Sequence, residues 1–261
     1  MAHNIIVGQS GGPTSVINSS LAGVFATAKE LGAGKIYGMH NGIEGLLEER
    51  YIDMTEYIKN SMDVEILKRT PSSFLGSCRF KLPTVEKSPE TYEKIIAVLR
   101  KLDIQHFFYI GGNDSMDTIK QLSEYAKAKN ITDITFMGVP KTIDNDLAVT
   151  DHTPGYGSAA KYIASTMKEI IRDALVQPIK IVNIIEIMGI NAGWLTAAAA
   201  LAKGDDCEGA DLIYLPETVF DINKFVAKVQ EIQKTKKQIV VAVSEGVKTA
   251  DGKYVCESAS S

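Results

Sequence analysis

A short polar turn, Pro140 to Asp146, places one lysine and two carboxylates directly after an apolar run that ends at Val139. This spacing suits a transfer reaction, because the Lys141 ammonium can bind anionic oxygens while the Asp144 carboxylate accepts a proton from an attacking hydroxyl. A solvated turn followed by a helix cap is the alternative interpretation. The position after an apolar strand favours a site, since ligands of open parallel sheets bind beyond the carboxyl ends of the strands.

A glycine-rich segment, Gly8 to Thr14, follows the first predicted strand. Its adjacent glycines, Gly11 and Gly12, let the backbone approach a ligand closely, and a predicted helix behind them offers free N–H groups to an anion. A plain tight turn between strand and helix explains the segment equally well, because it matches neither the dinucleotide nor the P-loop fingerprint. Both interpretations stay open at this point.

A second glycine pair, Gly111 and Gly112, also precedes a predicted helix. It is followed by Asn113, Asp114 and Ser115, one of which is expected to be the helix N-cap. A cap does not explain the glycine pair or the two neighbouring oxygen-bearing side chains. Mg²⁺ prefers few protein ligands together with waters and phosphate oxygens. Asn113 and Asp114 are therefore candidates to lie near a magnesium ion.

Three such segments suit phosphoryl transfer, whose loose, in-line transition state needs cations on the oxygens of the transferred group. Lys141 is expected to supply one cation, and Asp144 to act as the general base. Arg79, in the polar turn 76–81, is the candidate for a second cation, because Arg172 fits a solvated helix face. The pattern predicts an enzyme rather than a scaffold.

Composition limits the partners. The 261 residues are 45% hydrophobic with a net charge of −4, which predicts two domains and no long-range attraction for nucleic acid or an anionic membrane. The cysteines, Cys78, Cys207 and Cys256, lack metal-ligand spacing and fit a reducing cytosol. The N-terminus reads as a strand rather than a signal, and no apolar run is long enough to span a bilayer. We expect a soluble cytoplasmic protein.

Short apolar runs alternate with helical patterns, which predicts βαβ units, mostly parallel sheets and an α/β fold. The predicted strands are Asn4 to Val7, Lys35 to Met39, Phe107 to Ile110, Ile134 to Val139, Ile181 to Ile187, Leu212 to Leu215 and Gln238 to Val243. Apolar stripes predict helices over residues 16–28, 92–99 and 158–175, and small residues predict another over 192–202. A domain boundary is expected just after Val139.

Several segments together resemble the phosphofructokinase family. They are Ser10-Gly11-Gly12, Leu75-Gly76-Ser77-Cys78-Arg79, Gly111 to Ser115, Pro140 to Asp146, Glu186-Ile187-Met188-Gly189 and Leu215-Pro216-Glu217. The resemblance spans nearly the whole chain. It implies two Rossmann-like three-layer domains with the active site in the cleft between them, residues 1–139 binding the phosphoryl donor and 140–261 binding fructose 6-phosphate. The implied activity is phosphoryl transfer to the 1-hydroxyl of that sugar, in glycolysis.

The resemblance also implies roles for individual residues. Asp144 matches the catalytic base, and with Lys141 and Asp114 it forms the predicted catalytic group. The residues expected to bind the donor are Gly11, Gly12, Gly112 and Arg79. Those expected to bind the sugar phosphate are Thr142, Asp146, Met188, Gly189, Ile190 and Glu217.

Donor choice is predicted from two positions. Asp114 stands where similar ATP-using members have glycine, and its carboxylate would clash with the α-phosphate of ATP, whereas pyrophosphate ends one phosphate earlier. Lys141 resembles the lysine of pyrophosphate-using relatives, although lysine also occurs in some ATP users. We expect a pyrophosphate-dependent, reversible enzyme that uses Mg²⁺. An ATP-dependent enzyme and a non-catalytic regulatory subunit of the same fold are the alternatives.

Three departures from the family pattern motivate the non-catalytic alternative. Asn113 stands where the family has an aspartate near the metal, and Ile190 stands where it has an arginine. The family also continues beyond the Glu245-Gly246 loop with residues that hold the sugar 6-phosphate, so this chain resembles a C-terminally truncated one. Since positioning supplies much of the rate, such a chain could keep the catalytic turn without activity. Similar family members form dimers or tetramers, which implies a homo-oligomer.

Overall fold

The apolar runs of the sequence form two separate sheets in a computed structural model, which describes residues 3–176 and 178–260. The fold is α/β with mostly parallel strands, as predicted. The chain divides into two compact units between Thr142 and Ile143. This division falls three residues after the boundary expected at Val139, and it lies within the polar turn itself.

The first unit alternates strands and helices. In chain order it contains β1 (Asn4–Gln9), α1 (Ile17–Glu30), β2 (Ile36–Met39), α2 (Gly42–Leu47), β3 (Tyr51–Asp53), a 3₁₀ helix (Met54–Glu56), α3 (Ser61–Arg69), α4 (Pro89–Lys101), β4 (Ile104–Gly111), α5 (Asn113–Ala128) and β5 (Thr135–Pro140). The strand order is β3-β2-β1-β4-β5. All neighbouring pairs are parallel except β2 and β3.

Both faces of this sheet are covered, because successive side chains of a strand point to opposite sides. On β1, Ile6 packs into a core formed with α4 and α5, while Ile5 and Val7 pack into another formed with α1. Burial on both faces is typical of parallel sheets and explains the near-continuous apolar strands. The result is a three-layer unit.

The strand order creates a crevice at one edge of the sheet. The chain leaves β1 towards β2 on one side and leaves β4 towards β5 on the other, so the loops after β1 and β4 diverge. Open α/β sheets bind ligands at such a switch point. Gln9 pairs with Ile110, and Gly111 pairs with Pro140, so the three predicted loops begin at the same edge.

The second unit contains a smaller parallel sheet with the strand order β6-β8-β7. Its elements are α6 (Tyr156–Leu175), β6 (Ile181–Ile187), α7 (Trp194–Ala197), a 3₁₀ helix (Ala198–Ala202), β7 (Leu212–Tyr214), α8 (Ile222–Ile232), β8 (Gln238–Ser244) and a 3₁₀ helix (Val255–Ser260). Ile187 pairs with Ser244, and Tyr214 pairs with Val243. The segments after the three strands therefore leave from one edge.

Two predictions about helices were wrong in detail. The small-residue stretch over 192–202 forms a short α-helix followed by a 3₁₀ helix, and not one α-helix. The apolar stripe that predicts α6 from the sequence includes Tyr162, but this side chain is exposed. It lies five positions before the buried Met167, which is about 140° around a helix of 3.6 residues per turn. In the part of the chain that the structure describes, no helix has the length and apolarity needed to cross a membrane.

Candidate active site

The first glycine loop forms backbone and side-chain hydrogen bonds with the segment that carries Arg79. Gly11 has a φ of 75°, a left-handed conformation that glycine adopts without strain. Its N–H donates to the Cys78 carbonyl oxygen over 3.0 Å, and its own carbonyl oxygen accepts from the Ser77 hydroxyl. Gly12 is exposed beside it. The two predicted donor-binding segments are therefore joined in both directions.

Helix α1 begins within one residue of its predicted start at Val16, several residues beyond the glycine pair. Its first residue is Ile17, five positions after Gly12, and Val16 is its N-cap. The free N–H groups of α1 are thus not directly behind the glycine pair. Anion binding at this loop must depend on the loop backbone and on nearby cations, more than on the helix end.

The second glycine loop opens α5 without a side-chain cap, which contradicts the predicted capping role of Asn113, Asp114 or Ser115. The N-cap is Gly112, and the three polar residues form the first turn of the helix. Asn113 and Asp114 are exposed there. A carboxylate in the first turn is favoured by the positive end of the helix dipole. The Asp114 carboxylate therefore remains on the surface of the loop.

A pair of buried hydroxyls joins the two glycine loops. Ser10 and Ser115 contact each other through their Oγ atoms, and both are almost fully buried. A Cβ atom built on Gly111 would lie 2.0 Å from Ser115 Oγ, so glycine is required for this close approach. The sequence gave no sign of the contact, because hydroxyls 105 residues apart carry no pattern.

Lys141 brings the third loop to the other two. Its side chain is 4% exposed, and its Nζ donates to the Gly12 carbonyl oxygen. Its backbone N–H donates to the Gly111 carbonyl oxygen over 2.9 Å. An ammonium is buried only where such partners offset the lost hydration. The structure thus gathers three of the loops predicted from the sequence around one positive charge.

A neutral phenol lies beneath these loops. The Tyr109 hydroxyl accepts from the Ile43 N–H over 3.3 Å and lies 3.5 Å from Cys78 Sγ. Burial, with a smaller effect of Cys78, raises the pKa of Tyr109 far above its ordinary value. The phenol therefore stays protonated and adds no negative charge below the anion-binding surface.

The two predicted arginines differ in their surroundings. Arg79 is exposed and directly follows Ser77 and Cys78, which form hydrogen bonds with Gly11. Arg172 forms an ion pair with Asp206 over 2.6 Å on the surface of α6. This agrees with the interpretation of Arg172 as part of a solvated helix face.

The second half of the polar turn belongs to the second unit. Asn145 has a left-handed backbone, its Oδ1 accepts from the Thr153 N–H over 2.8 Å, and its Nδ2 donates to the Asp151 carbonyl oxygen over 3.0 Å. These bonds close the loop and fix the neighbours of Asn145 on both sides. Asp144 is half-buried and Asp146 is exposed.

The loop after β6 is held by carboxylates from the ends of the other two strands. The Gly189 N–H donates to Glu245 Oε1 over 2.9 Å, and the Gly193 N–H donates to Glu217 Oε1 over 2.7 Å. Ser244 Oγ donates to the Gly189 carbonyl oxygen. Glu245 was not among the predicted site residues. Its position after β8, in register with the end of β6, is the signal that could have identified it.

Met188 and Ile190 present exposed side chains on either side of Gly189, whose φ is 125°. A Cβ atom on Gly246 would lie 1.9 Å from the Ile190 carbonyl oxygen, so the backbone at Ile190 is tightly packed although its side chain is not. The exposed apolar side chain confirms that no cation occupies this position of the loop. The predicted sugar-binding residues Met188, Gly189, Ile190 and Glu217 thus belong to one loop system.

The described residues contain no group of three or more histidine, cysteine, aspartate or glutamate side chains that could hold a metal ion by themselves. Any metal bound here must therefore complete its coordination with oxygens of a ligand and with water. Asn113 and Asp114 offer two exposed oxygen-bearing side chains for that purpose.

Comparison with known proteins identifies relatives over almost the whole chain. The sequence pattern of the family described as Phosphofructokinase matches residues 4–261. The chain is 43% identical over 257 residues to the pyrophosphate–fructose 6-phosphate 1-phosphotransferase of Xanthomonas campestris pv. campestris, covering 98% of this chain and 60% of that protein. It is 34% identical to the ATP-dependent 6-phosphofructokinase of Vibrio cholerae, covering 94% of this chain and 70% of that one.

A solved structure agrees with these sequence relatives. The crystal structure of a pyrophosphate-dependent phosphofructokinase from Nitrosospira multiformis superimposes with a TM-score of 0.86 at 41% identity, covering 97% of this chain and 63% of that one. The chain thus spans about three-fifths of the length of the pyrophosphate-dependent relatives that it matches.

Proposed function

Since the chain belongs to the phosphofructokinase family, we propose that the protein transfers a phosphoryl group from pyrophosphate to the 1-hydroxyl of fructose 6-phosphate. The products are fructose 1,6-bisphosphate and orthophosphate. The reaction runs in both directions, because the two phosphate compounds have comparable transfer potential. Relatives named for pyrophosphate are more similar to this chain than the ATP-dependent relative of Vibrio cholerae, which supports pyrophosphate as the donor.

The observation that carries the proposal is the convergence of three loops on Lys141. Its side chain bonds to Gly12 and its backbone bonds to Gly111, at the switch point of the first sheet. Pyrophosphate is small and highly charged, so it needs a compact group of donors and cations. Lys141, Arg79 and the glycine-loop backbone supply such a group.

In this proposal the Asp114 carboxylate limits how many phosphate groups a bound donor can have. Its exposed carboxylate stands in the first turn of α5, beside Gly112. A donor that extends one phosphate further along this turn meets a like charge, and such contacts cost several kcal/mol. Pyrophosphate ends before it. ATP-dependent transfer is the alternative within the family, and the Asp114 carboxylate argues against it.

Asp144 is the proposed general base. It accepts the proton of the sugar 1-hydroxyl as that oxygen attacks one phosphorus of pyrophosphate, and the bond from this phosphorus to the bridging oxygen breaks. The bridging oxygen leaves with orthophosphate. Asp144 lies three positions after Lys141, so the chain itself keeps their Cα atoms within about 10 Å. Base and donor-binding cation are thus tethered by the same turn.

The loop system of the second unit is the proposed binding site for the sugar phosphate. Gly189 offers a backbone that only glycine adopts readily, and Met188 and Glu217 lie in the same loops. Thr142 and Asp146 flank the proposed base in sequence. Ile190 contributes no charge, so the sugar phosphate must obtain its cations from other residues.

Magnesium fits this site as an ion that arrives with the donor. Mg²⁺ takes one or two protein carboxylates together with phosphate oxygens and waters, and Asp114 with Asn113 offers such a set. When bound, the ion neutralises charge on the phosphate oxygens. We also propose a cytoplasmic homo-oligomer; the free thiols of Cys78, Cys207 and Cys256 suit a reducing compartment.

Replacement of the proposed base tests the mechanism. Asp144→Ala should lower turnover with pyrophosphate and fructose 6-phosphate by about 100- to 10,000-fold, because general-base catalysis contributes that much. Binding of both substrates, measured by calorimetry, should change little. Asp151→Asn is the matched control, since Asp151 is an exposed carboxylate of the same loop. Full turnover by Asp144→Ala would exclude the assigned role.

A non-catalytic subunit is the second candidate, and Asn113 and Ile190 favour it because both replace charged residues of the family pattern. In that case the unaltered protein would bind fructose 6-phosphate but show no turnover with either pyrophosphate or ATP. Turnover with pyrophosphate excludes this candidate.

A further inference from the structure

We propose that Gln9 and Asn18 form a buried amide pair that positions the donor-binding loops. The inference rests on the proposed pyrophosphate site in the first unit. Gln9 is the last residue of β1, directly before the first glycine loop, and Asn18 is the second residue of α1. Neither side chain is predicted to touch the donor. Each acts through the segment 70–79, which ends in Arg79.

The Gln9 side chain uses its whole hydrogen-bonding capacity. Its Nε2 donates to the Ile17 carbonyl oxygen over 3.2 Å and to Asn18 Oδ1 over 3.0 Å. Its Oε1 accepts from the Leu75 N–H over 2.9 Å and lies 3.0 Å from the Ser73 hydroxyl, whose single proton is shared with the Gly76 carbonyl oxygen at 2.6 Å. The residue is fully buried. A single amide thus connects β1, α1 and the segment that leads to Arg79.

Asn18 extends the connection on the other side of that segment. Its Nδ2 donates to the Thr70 carbonyl oxygen over 3.0 Å, and its Oδ1 accepts from the Phe74 N–H over 2.8 Å as well as from Gln9. Asn18 is 1% exposed. The two amides therefore hold four groups of this segment: the Thr70 carbonyl oxygen, the Ser73 hydroxyl, and the N–H groups of Phe74 and Leu75.

The held segment connects directly to the proposed donor site. Beyond Leu75 it bonds to Gly11 through Ser77 Oγ and the Cys78 carbonyl oxygen, and then reaches Arg79. Gln9 also lies two positions before Gly11 in the sequence, so its backbone leads directly into the glycine pair. A shift of the Gln9 side chain therefore changes the distance between Arg79 and the glycine pair. The side-chain bonds of the two amides go to α1 and to the segment 70–75, and the glycine pair follows Gln9 in the chain, so the two amides connect these three parts of the first unit.

An isosteric substitution separates positioning from packing. Gln9→Glu keeps the shape but removes both N–H donors, so a carboxylate faces the Ile17 carbonyl and Asn18 Oδ1. Burial without donors raises the pKa of a carboxyl group. When the introduced carboxylate binds a proton, the resulting carboxylic acid has one O–H donor. This donor restores one of the two hydrogen bonds that the substitution removed. The defect of this variant should therefore weaken as the pH falls.

Calorimetric titration with magnesium pyrophosphate measures the effect. At pH 8 the dissociation constant of Gln9→Glu should exceed that of the unaltered protein by about tenfold, which corresponds to about 1.4 kcal/mol, because the groups left without donors displace the segment that leads to Arg79. The ratio of the two dissociation constants should fall towards one as the pH is lowered to 6. Protonation of pyrophosphate itself affects both constants equally, so it cancels in this ratio. Affinity for fructose 6-phosphate should not change.

Gln105→Glu is the matched control. Gln105 lies near the start of β4, accepts from the Asn4 N–H and donates to Asp103, so it is an amide at the opposite edge of the same sheet. Its substitution should leave the ratio at one at every pH. Gln9→Leu should weaken pyrophosphate binding without recovery at low pH.

Three results would overturn the inference. They are equal pyrophosphate affinity of Gln9→Glu and the unaltered protein, a loss without pH-dependent recovery, and an equal loss of affinity for both substrates. Should Gln9→Glu fail to fold, Ser73→Ala removes one donor to Gln9 Oε1 and should still weaken pyrophosphate binding by a few-fold; unchanged affinity would then reject the positioning role. Absence of pyrophosphate binding by the unaltered protein would instead reject the proposed function.

Discussion

At the scale of single residues, the proposed preference for pyrophosphate depends most on Asp114. Its carboxylate is exposed in the first turn of α5 and has no capping role, so neither the fold nor a helix cap requires it. Charge at this position is therefore free to act on the ligand. The structure places Asp114 in the exposed first turn of α5, and the predicted possibility that it caps the helix is wrong.

Asp114→Gly should admit ATP. Removal of the charge and the side chain relieves a repulsion of several kcal/mol, so the Michaelis constant for ATP should fall by about tenfold or more. Asp114→Asn separates the two causes, because it removes the charge and keeps the size. Steady-state kinetics with each donor measures both variants. An unchanged preference in Asp114→Gly would remove Asp114 from the account of donor choice.

Val149 carries backbone strain in the loop after the catalytic turn. It has a φ of 55°, which is rare for a β-branched residue, and its side chain is fully exposed. The left-handed conformation costs about 1–2 kcal/mol for such residues, whereas asparagine tolerates it. Val149→Asn should therefore stabilise the protein by about 1 kcal/mol, measured by urea unfolding.

Val219→Asn is the control for this substitution, because Val219 is an exposed valine with an ordinary backbone conformation. It should not stabilise the protein. Equal effects of the two substitutions would show that the backbone of Val149 stores no strain.

At the scale of elements, a histidine pair links the starts of β1 and β4. His3 Nδ1 and His106 Nε2 lie 3.2 Å apart, so one ring donates and the other accepts. Burial, together with the nearby His3, lowers the pKa of His106 below its ordinary value of 6.5. The unfolded chain therefore binds this proton at a higher pH than the folded chain does. Stability from this group is complete above about pH 7 and is lost as the pH falls below 6.5.

His106→Gln should make the free energy of unfolding less dependent on pH below about pH 7, because the titrating group is removed. Thermal unfolding between pH 7.5 and 5.5 should show a smaller loss of stability than in the unaltered protein. His152→Gln serves as the control, because His152 is exposed and belongs to the second unit. If His106→Gln loses as much stability as the unaltered protein over this range, the histidine pair does not cause the effect.

The long elements could be predicted because their patterns are periodic. Strands β1 and β4 contain the continuous apolar runs Ile5 to Val7 and Phe107 to Ile110, β6 is apolar apart from Asn183 and Glu186, and α6 has a helical stripe. Strand β3 and the short helix α2 were not predicted, because neither is long enough to show a period. Helices α3 and α8 were not predicted either, although they have 9 and 11 residues.

At the scale of the whole molecule, the candidate site was predictable only in part. Glycine pairs and clustered charges at strand ends predicted the loops that we propose bind the donor, because their composition differs from that of an ordinary turn. The contacts that hold these loops were not predictable. The Gln9 side chain forms hydrogen bonds with Ser73 and Leu75, which are 64 and 66 positions away. The Glu245 side chain accepts a hydrogen bond from Gly189, and these two residues follow the neighbouring strands β8 and β6. Such partners become neighbours only through the strand order.

The donor assay by phosphorus NMR tests the central proposal most directly. The purified protein is incubated with Mg²⁺, fructose 6-phosphate and either pyrophosphate or ATP, and a second sample starts from fructose 1,6-bisphosphate and orthophosphate. We predict that the pyrophosphate signal converts to orthophosphate and sugar bisphosphate, that the second sample forms pyrophosphate, and that ATP stays unchanged. Turnover with ATP but not with pyrophosphate, or with neither donor, would contradict the account.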